Sequence, residues 1–401
     1  MKYIVVLCDG AADTPVKELG NKTPLEVAKK PNIDNLAALG EMGMVTTVPG
    51  NLPPGSDVAN LAVFGYDPQK YYTGRSPLEA MSMGVHLELT DTTFRTNVVT
   101  LSDEENYEDK TMVDYSSDEI TTEESSQLIK AVNDALKTDE YEFFSGISYR
   151  HLMVWHNKEN KFDLTPPHDI SDRKIKDYLP KDETILNLMK KSHEILKNHP
   201  VNLDRIKRGL RPANSIWIWG NGTKPNLDTY SEKFGIRGSV VSAVDLIKGI
   251  GVCAGLEVID VIGATGNVHT NFDGKAEAAI SALRSGADFV YVHLEAADEA
   301  GHRHEIDNKV RAIELIDEKI VGPILNALKE DGEDYAILVM PDHPTPLAIR
   351  THTSDPVPYI IYKSGNNTSE KSVSYTEAEA KTTGIVVKDG YTLMERLLSK
   401  E

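Results

Sequence analysis

The stretch YIVVLCDG, residues 3–10, decides the fold class. Its apolar residues are rich in β-branched types and leave no polar position between them, the pattern of a strand covered on both faces. The run closes on Asp9-Gly10, a turn pair, so Asp9 stands at the strand's carboxyl end. EVIDVIG (257–263), ADFVYVHLEA (287–296) and YAILVMPDH (335–343) read as three more buried strands. KAEAAISALRSG (275–286) and KVRAIELIDEKIVGPILNALKEDG (309–332) carry the apolar spacing of amphipathic helices. TPLEVAKKPNIDNLAALG (23–40) reads as helical pieces broken at Pro31 and closed by Gly40. Strands alternating with helices predict an α/β architecture with a mostly parallel sheet sandwiched by helices. Ligands of such sheets gather at the carboxyl ends of the strands, and ligand-type side chains follow the apolar part of three of these.

Residues from about 90 to 215 differ in texture. The acidic, serine-rich tract SDEENYEDKTMVDYSSDEITTEESS (102–126) reads as an exposed hairpin, and apolar spacing resumes in SSQLIKAVNDAL (125–136) as a capped helix. Short strand-like runs follow in EFFSGISYRHLMVW (142–155) and NSIWIWGNG (214–222), where Trp217 and Trp219 alternate as packing residues. The simplest organisation is one α/β domain made of residues 1–90 and 215–401, with a smaller α+β domain, 91–214, inserted between its halves.

The composition excludes several function classes. Of 401 residues, 43 are Lys or Arg and 62 are Asp or Glu, a net charge of −19 that repels nucleic acid and anionic membrane surfaces. No apolar stretch approaches the ~20 residues that span a bilayer, and the first residues read as a strand rather than a signal peptide. Two cysteines, Cys8 and Cys253, are too few for a disulfide framework and read as buried free thiols of a cytoplasmic protein. The oligomeric state is left open.

The chemistry concentrates in the last third. LEAADEAGHRHEID (294–307) sets Asp298 and His302 four apart, the spacing that puts both on one helix face. VMPDHPTPLAIRTHTSD (339–355) sets Asp342 and His343 together at a strand end, with His352 nine residues on. Carboxylates mixed with imidazoles suit Mn²⁺, Zn²⁺ and related ions better than Ca²⁺. With Asp9, these are more donors than one ion holds once positions for water or substrate stay open, and they divide naturally over two. PPGSDVAN (53–60) raises a second question. Pro-Pro-Gly forbids helix, and Ser56 then opens a run that can be helical, so its oxygen caps the first turn or is presented to chemistry. Beside two metal ions a serine hydroxyl is a nucleophile for phosphoryl transfer. No G-x-x-x-x-G-K-[ST] loop is present, which argues against a small-molecule kinase of that type.

CDGAAD (8–13), TPLEVAKKPNIDNLAALG, PPGSDVANLAVFGYDP (53–68), GATGN (263–267), DFVYVHLEAADEAGH (288–302) and PDHPTP…THT (341–353) resemble the cofactor-independent phosphoglycerate mutases of the archaeal type, members of the alkaline phosphatase superfamily. The resemblance runs nearly end to end. It implies an alkaline-phosphatase-like metal-binding domain with an inserted phosphotransferase or lid domain. It also implies interconversion of 2-phosphoglycerate and 3-phosphoglycerate, in glycolysis and gluconeogenesis, through a phosphoserine. Ser56 would be the nucleophile, with Asp9, Ser56, Asp342 and His343 on one ion and Asp298, His302 and His352 on the other. The ions would be divalent, Mn²⁺ ahead of Mg²⁺, Co²⁺ or Zn²⁺, and 2,3-bisphosphoglycerate would not be needed. His293, His304 and Asp13 have no ligand position. His304 stands where a small residue is expected, and Asn271 where an acidic one is more usual.

The insert would hold glycerate and move its protons. A carboxylate and a phosphate need Arg or Lys donors, for which Arg150, Arg205, Arg208, Arg211 and Lys224 are the candidates, with Arg75 near the cleft. Proton transfer needs a group titrating near neutrality, for which His151 and His168, with Asp169, are the candidates. The alternatives within the same superfamily are a metal-dependent phosphomonoesterase and a sugar-phosphate mutase. A non-catalytic sensor is the alternative outside enzymes, and the full set of nucleophile and ligands argues against it.

Overall fold

A computed structural model of the chain describes residues 1–365 and 373–399. The chain divides into two compact units, Met1–Tyr72 with Asn226–Glu401 (unit 1) and Thr73–Pro225 (unit 2). Its strands are β1 Lys2–Cys8, β2 Glu41–Val45, β3 Thr92–Leu101, β4 Met112–Asp114, β5 Tyr141–Phe144, β6 Arg150–Trp155 and β7 Ser215–Thr223. They continue with β8 Gly238–Val241, β9 Glu257–Ile259, β10 Phe289–Leu294, β11 Tyr335–Met340, β12 Val357–Lys363 and β13 Val386–Val387.

Unit 1 is built on an eight-stranded sheet in the order β13-β2-β12-β11-β1-β10-β8-β9. β1 lies between β10 and β11, parallel to both, with Val6 facing Val292 and Val339. Every strand runs the same way except β12, which is antiparallel to β11 and to β2. Helices cover both faces, which is why Ile4, Val5, Val6 and Leu7 are all fully buried. One face carries Phe272–Arg284 and Ile306–Ile316, whose Phe272, Ala276 and Ile313 join Ile4, Val6 and Val292 in the main core. The other face carries Ser56–Val63 and Asp245–Cys253, and on it the Phe64 ring stacks on Tyr291 at 4.0 Å. Parallel order through β11, β1 and β10 brings their three carboxyl ends side by side.

Unit 2 is an antiparallel five-stranded sheet in which β3 pairs with β4, β6 and β7, and β5 extends β6. One face of β3 packs under the helices Thr122–Leu136 and Glu183–Leu196 through Phe94, Val98, Leu128 and Leu188. The acidic tract folds as anticipated: β4 turns back on β3, and Thr121 caps the next helix by accepting from the Glu124 amide.

Three expectations need correction. The boundaries lie at Tyr72/Thr73 and Pro225/Asn226, not at 90/91 and 214/215, because β7 pairs along β3 and the helix Ser76–Ser82 packs on both strands. EVIDVIG supplies only β9, a partly exposed edge strand, since a partner exists on one side alone. Residues 309–332 are not one regular helix. Ile306–Ile316 passes through a π-helical turn, Asp317–Val321, into Gly322–Glu330, and Asp317 turns inward to accept from the amides of Asn32 and Ile33. Among the described residues no helix is long and apolar enough to cross a membrane.

Candidate active site

Asp9 follows β1, Glu295 and the helix Ala296–Arg303 follow β10, and Asp342-His343 follow β11, so the strand order alone brings these groups to one edge of the sheet. Gly10 makes the approach possible. Its φ is +63°, and a Cβ there would come 2.6 Å from both Asp298 Oδ1 and Thr345 Oγ1.

His343 is the hub. Its Nε2 lies 3.1 Å from Ser56 Oγ, 3.3 Å from Asp342 Oδ2 and 3.6 Å from Asp9 Oδ1. Its ring packs 4.1 Å from that of His352. Asp298 faces both remaining histidines, with Oδ2 3.3 Å from His302 Nε2 and Oδ1 3.5 Å from His352 Nε2. The two histidine Nε2 atoms are 2.9 Å apart. Two sets of donors each fall within 4.8 Å: Asp9 with Asp342 and His343, and Asp298 with His343 and His352. The structure thus brings Asp9, Ser56, Asp298, His302, Asp342, His343 and His352 together. His343 belongs to both sets, and His302 joins through His352.

The electrostatics suit a cation-binding site. Asp9 Oδ1 is buried without a hydrogen-bond partner. Burial and the Asp342 and Asp298 carboxylates push the Asp9 carboxyl well above its ordinary range. Burial also opposes ionisation of Asp298, but hydrogen bonds from His302 and His352 outweigh it and hold that carboxyl well below the usual range. In return, the bond to Asp298 pushes His302 up to about 9. Crowded carboxylates beside an imidazole held protonated, that of His302, suit a site where metal ions replace protons.

Ser56 does not cap its helix. Gly55 is the N-cap and Ser56 is the first helical residue, so the hydroxyl is released toward His343. The helix holds the site in a second way. Asn60, one turn on, donates to the Ser56 carbonyl at 2.9 Å and to Asp342 Oδ2 at 2.8 Å, and accepts from the Tyr291 hydroxyl at 2.6 Å. Asn60 escaped the sequence reading, although its spacing of four from Ser56 was visible. His293 and Asp13 both support the site. His293 Nε2 meets Asp9 Oδ2 at 2.9 Å, with burial holding the ring down to about 3. Asp13 pairs with Lys309 at 2.7 Å. His304 adopts φ +58°, which explains the small residue expected there, and its Nδ1 donates to the Leu347 carbonyl at 2.7 Å. Asn271 caps the helix Phe272–Arg284, accepting from the Gly274 amide.

Within unit 2 the anticipated residues do not form one cluster. Arg205 is buried and bonded to Glu124 and to the Ser117 and Arg211 carbonyls. Arg208 is paired with Glu124 and Asp204, Arg211 with Asp114 and Asp118, and Lys224 Nζ donates to the Leu87 carbonyl. His151 lies opposite Thr96 on the core face, 4% exposed, and burial pushes it down to about 3. That ring cannot exchange protons near neutrality. His168 and Asp169 sit half-exposed in one turn, 3.6 Å apart, and the His168 ring meets Trp219 edge-on at 5.3 Å. Arg150 is exposed at the start of β6.

A mostly parallel sheet with carboxylates, imidazoles and a serine hydroxyl at its carboxyl edge is the arrangement of a metal-dependent α/β enzyme. The family model described as 2,3-bisphosphoglycerate-independent phosphoglycerate mutase matches residues 37–202, and that of type I phosphodiesterase / nucleotide pyrophosphatase matches residues 161–346. A probable 2,3-bisphosphoglycerate-independent phosphoglycerate mutase of Geobacter sulfurreducens is 49% identical over 100% of both chains. The enzyme of that name from Methanosarcina acetivorans is 47% identical over 96% of each. A solved structure of a Pyrococcus horikoshii protein, 30% identical, superposes with a TM-score of 0.82 over 100% of this chain and 98% of that one. The chain belongs to the 2,3-bisphosphoglycerate-independent phosphoglycerate mutases.

Proposed function

We propose that the chain interconverts 2-phosphoglycerate and 3-phosphoglycerate through a phosphoserine at Ser56, with two divalent metal ions. The observation that carries this reading is the Ser56 hydroxyl, 3.1 Å from His343 Nε2 and released from any capping bond. Asp9, Ser56, Asp342 and His343 would hold one ion and Asp298, His302 and His352 the other, Mn²⁺ ahead of Mg²⁺, Co²⁺ or Zn²⁺. Bound there, the ions would neutralise charge on the phosphoryl oxygens and ease loss of the Ser56 proton.

Ser56 Oγ attacks the phosphorus of 3-phosphoglycerate. The Oγ–P bond forms, the bond from phosphorus to the 3-oxygen breaks, and that oxygen takes a proton. Glycerate then turns, and its 2-hydroxyl loses a proton and attacks phosphorus. The Oγ–P bond breaks and Ser56 regains its proton. Asn60 fixes the Ser56 carbonyl throughout, and the helix start favours the negative charge gathered on the phosphoserine. His168, beside Asp169, is the unit 2 group suited to hold and return the proton, while burial disqualifies His151. Transfer rather than hydrolysis requires glycerate to be retained and water kept out. A cytoplasmic setting belongs to the same proposal and is supported by the scarcity of cysteine, Cys8 and Cys253 both being buried.

The test is a quench experiment with Mn²⁺ and 3-phosphoglycerate, followed by peptide mapping. A phosphate ester on the Ser56 peptide during turnover is the expected result. Turnover with Ser56 unmodified at every quench time, or full activity in Ser56→Ala, defeats the reading.

A further inference from the structure

A row of buried side chains in unit 1 stands behind the metal donors at the sheet's carboxyl edge. β8, β10 and β1 are neighbours and run parallel. Val241, the last residue of β8, pairs with Val292, so Ser242 comes beside His293. His293 pairs with Leu7, two residues before Asp9. The Asp9 amide still donates to the Leu294 carbonyl at 2.9 Å, so the pleat extends that far and puts Asp9 on the face of Leu7. Ser242 Oγ lies 3.2 Å from His293 Nδ1, and His293 Nε2 lies 2.9 Å from Asp9 Oδ2. None of the three is more than 2% exposed. Lys275, also fully buried, donates from Nζ to the His293 carbonyl at 3.1 Å and fixes the backbone behind the ring.

The protons of this row can be assigned. The Val244 amide donates to Ser242 Oγ at 3.0 Å, which leaves the hydroxyl's own hydrogen to point at Nδ1. A fully buried imidazole is neutral and holds one proton, which then sits on Nε2 and is donated to Asp9 Oδ2. An ionised Asp9 demands the same tautomer, because its carboxylate only accepts. The other oxygen, Asp9 Oδ1, is buried without a hydrogen-bond partner. Asp342 differs. Its Oδ1 accepts from the Gly10 and His343 amides, and its Oδ2 from Asn60. Among the described residues Asp9 Oδ1 is therefore the one oxygen of these two carboxylates left open, and it lies 3.6 Å from His343 Nε2.

We propose that His293, oriented by Ser242, is a positioning residue that holds Asp9 Oδ2 and so reserves Oδ1 for a divalent metal ion. The proposal rests on the two-metal part of the reading above. With Oδ2 engaged, the carboxylate is fixed before the ion arrives, and little side-chain freedom is lost on binding.

The test titrates Mn²⁺ calorimetrically into the chelated full-length protein and follows Co²⁺ substitution by visible absorption. His293→Leu removes both ring nitrogens, His293→Gln keeps one side-chain donor, and Ser242→Ala frees the ring from its hydroxyl. In His293→Leu one of the two Mn²⁺ binding steps weakens about 10- to 100-fold, the usual loss when the partner of a ligating carboxylate is removed. The other step changes by less than about threefold, since its own ligands keep their partners. The Co²⁺ absorption band changes with the weakened step. His293→Gln binds more tightly than His293→Leu, and Ser242→Ala falls between His293→Leu and the wild type. Unaltered Mn²⁺ binding in a folded His293→Leu overturns the proposal. Equal weakening of both steps overturns it too, because that marks a loosened fold. Should His293→Leu fail to fold, Ser242→Ala decides by the same criteria. A wild-type protein that binds no Mn²⁺ defeats the two-metal reading itself, whereas binding indifferent to His293 and Ser242 defeats this proposal alone, so the two failures are separable.

Discussion

Lys309→Met strikes the frame that holds the site without touching a proposed metal ligand. Lys309 Nζ lies 2.7 Å from Asp13 Oδ2, and both side chains are 0% exposed. The same ammonium donates to the Thr345 carbonyl at 2.7 Å and reaches the Ala12 carbonyl at 3.4 Å. Asp13 in turn accepts from the Leu347 amide at 3.1 Å. One ion pair therefore ties the loop after β1, which carries Asp9, to the loop after β11, which carries Asp342 and His343. Removing Lys309 leaves the Asp13 carboxylate buried with amide donors alone, which costs about 3–5 kcal/mol. At about 2–4 °C per kcal/mol for a unit of this size, the midpoint of thermal unfolding falls by about 6–20 °C. The double variant Lys309→Met/Asp13→Leu removes both charges and recovers most of that loss, because an apolar pair is close to neutral in place of a buried ion pair. Thermal unfolding of the four proteins, followed by circular dichroism at fixed pH and metal concentration, gives the coupling directly. A loss below about 1 kcal/mol in the single variant, or a double variant as unstable as the sum of the singles, refutes the reasoning.

Three further outcomes are expected. Ser56→Ala abolishes mutase turnover but shifts the unfolding midpoint by less than about 2 °C, because its hydroxyl caps nothing; calorimetric titration with Mn²⁺ shows metal binding largely retained. Exhaustive chelation removes activity and Mn²⁺ restores it, and full activity in the chelated protein would exclude the two-metal centre. His151 is depressed to about 3 by burial, so the folded state stays neutral while the unfolded chain protonates below pH ~6.5. The stability it protects is present above that pH and lost as pH falls, at up to about 1.4 kcal/mol per unit. His151→Leu flattens the slope of the unfolding midpoint between pH 6 and 4, as measured by thermal unfolding.

Legibility in the sequence followed the distance over which each signal acts. β1 could be read because seven consecutive residues carry its pattern, and Asp9 and Asp342 because each stands within two residues of a strand end. Asp298 and His302 needed only the helical spacing of four. The sheet order that joins them was implied by parallel strands, yet β2, β8, β12 and β13 went unread. β8 has only four residues and β13 two, so neither is long enough to show a period. Ser56 was located correctly but its geometry was not. Whether Gly55 or Ser56 is the N-cap is a shift of one residue, and that shift decides whether the hydroxyl faces the helix or His343.

Arg205, Arg208 and Arg211 were hard to read for a physical reason of another kind. Whether a guanidinium is a structural tie or a ligand site depends on its carboxylate, and that partner is remote in the chain. Arg205 and Arg208 meet Glu124 across 81 and 84 residues, and Arg211 meets Asp114 across 97. LDRIKRGLRP looks like a substrate clamp because three arginines lie close together, but each is already paired with a carboxylate of the acidic tract. The tract read as an exposed hairpin thus supplies the counter-charge of that helix end. Arg95 is the opposite case. As the one charged residue of TTFRTNVVTL in β3, it gave no cluster to notice, yet it must be compensated once folded against Trp219. Arg75 and Arg95 share the Glu79 carboxylate between them.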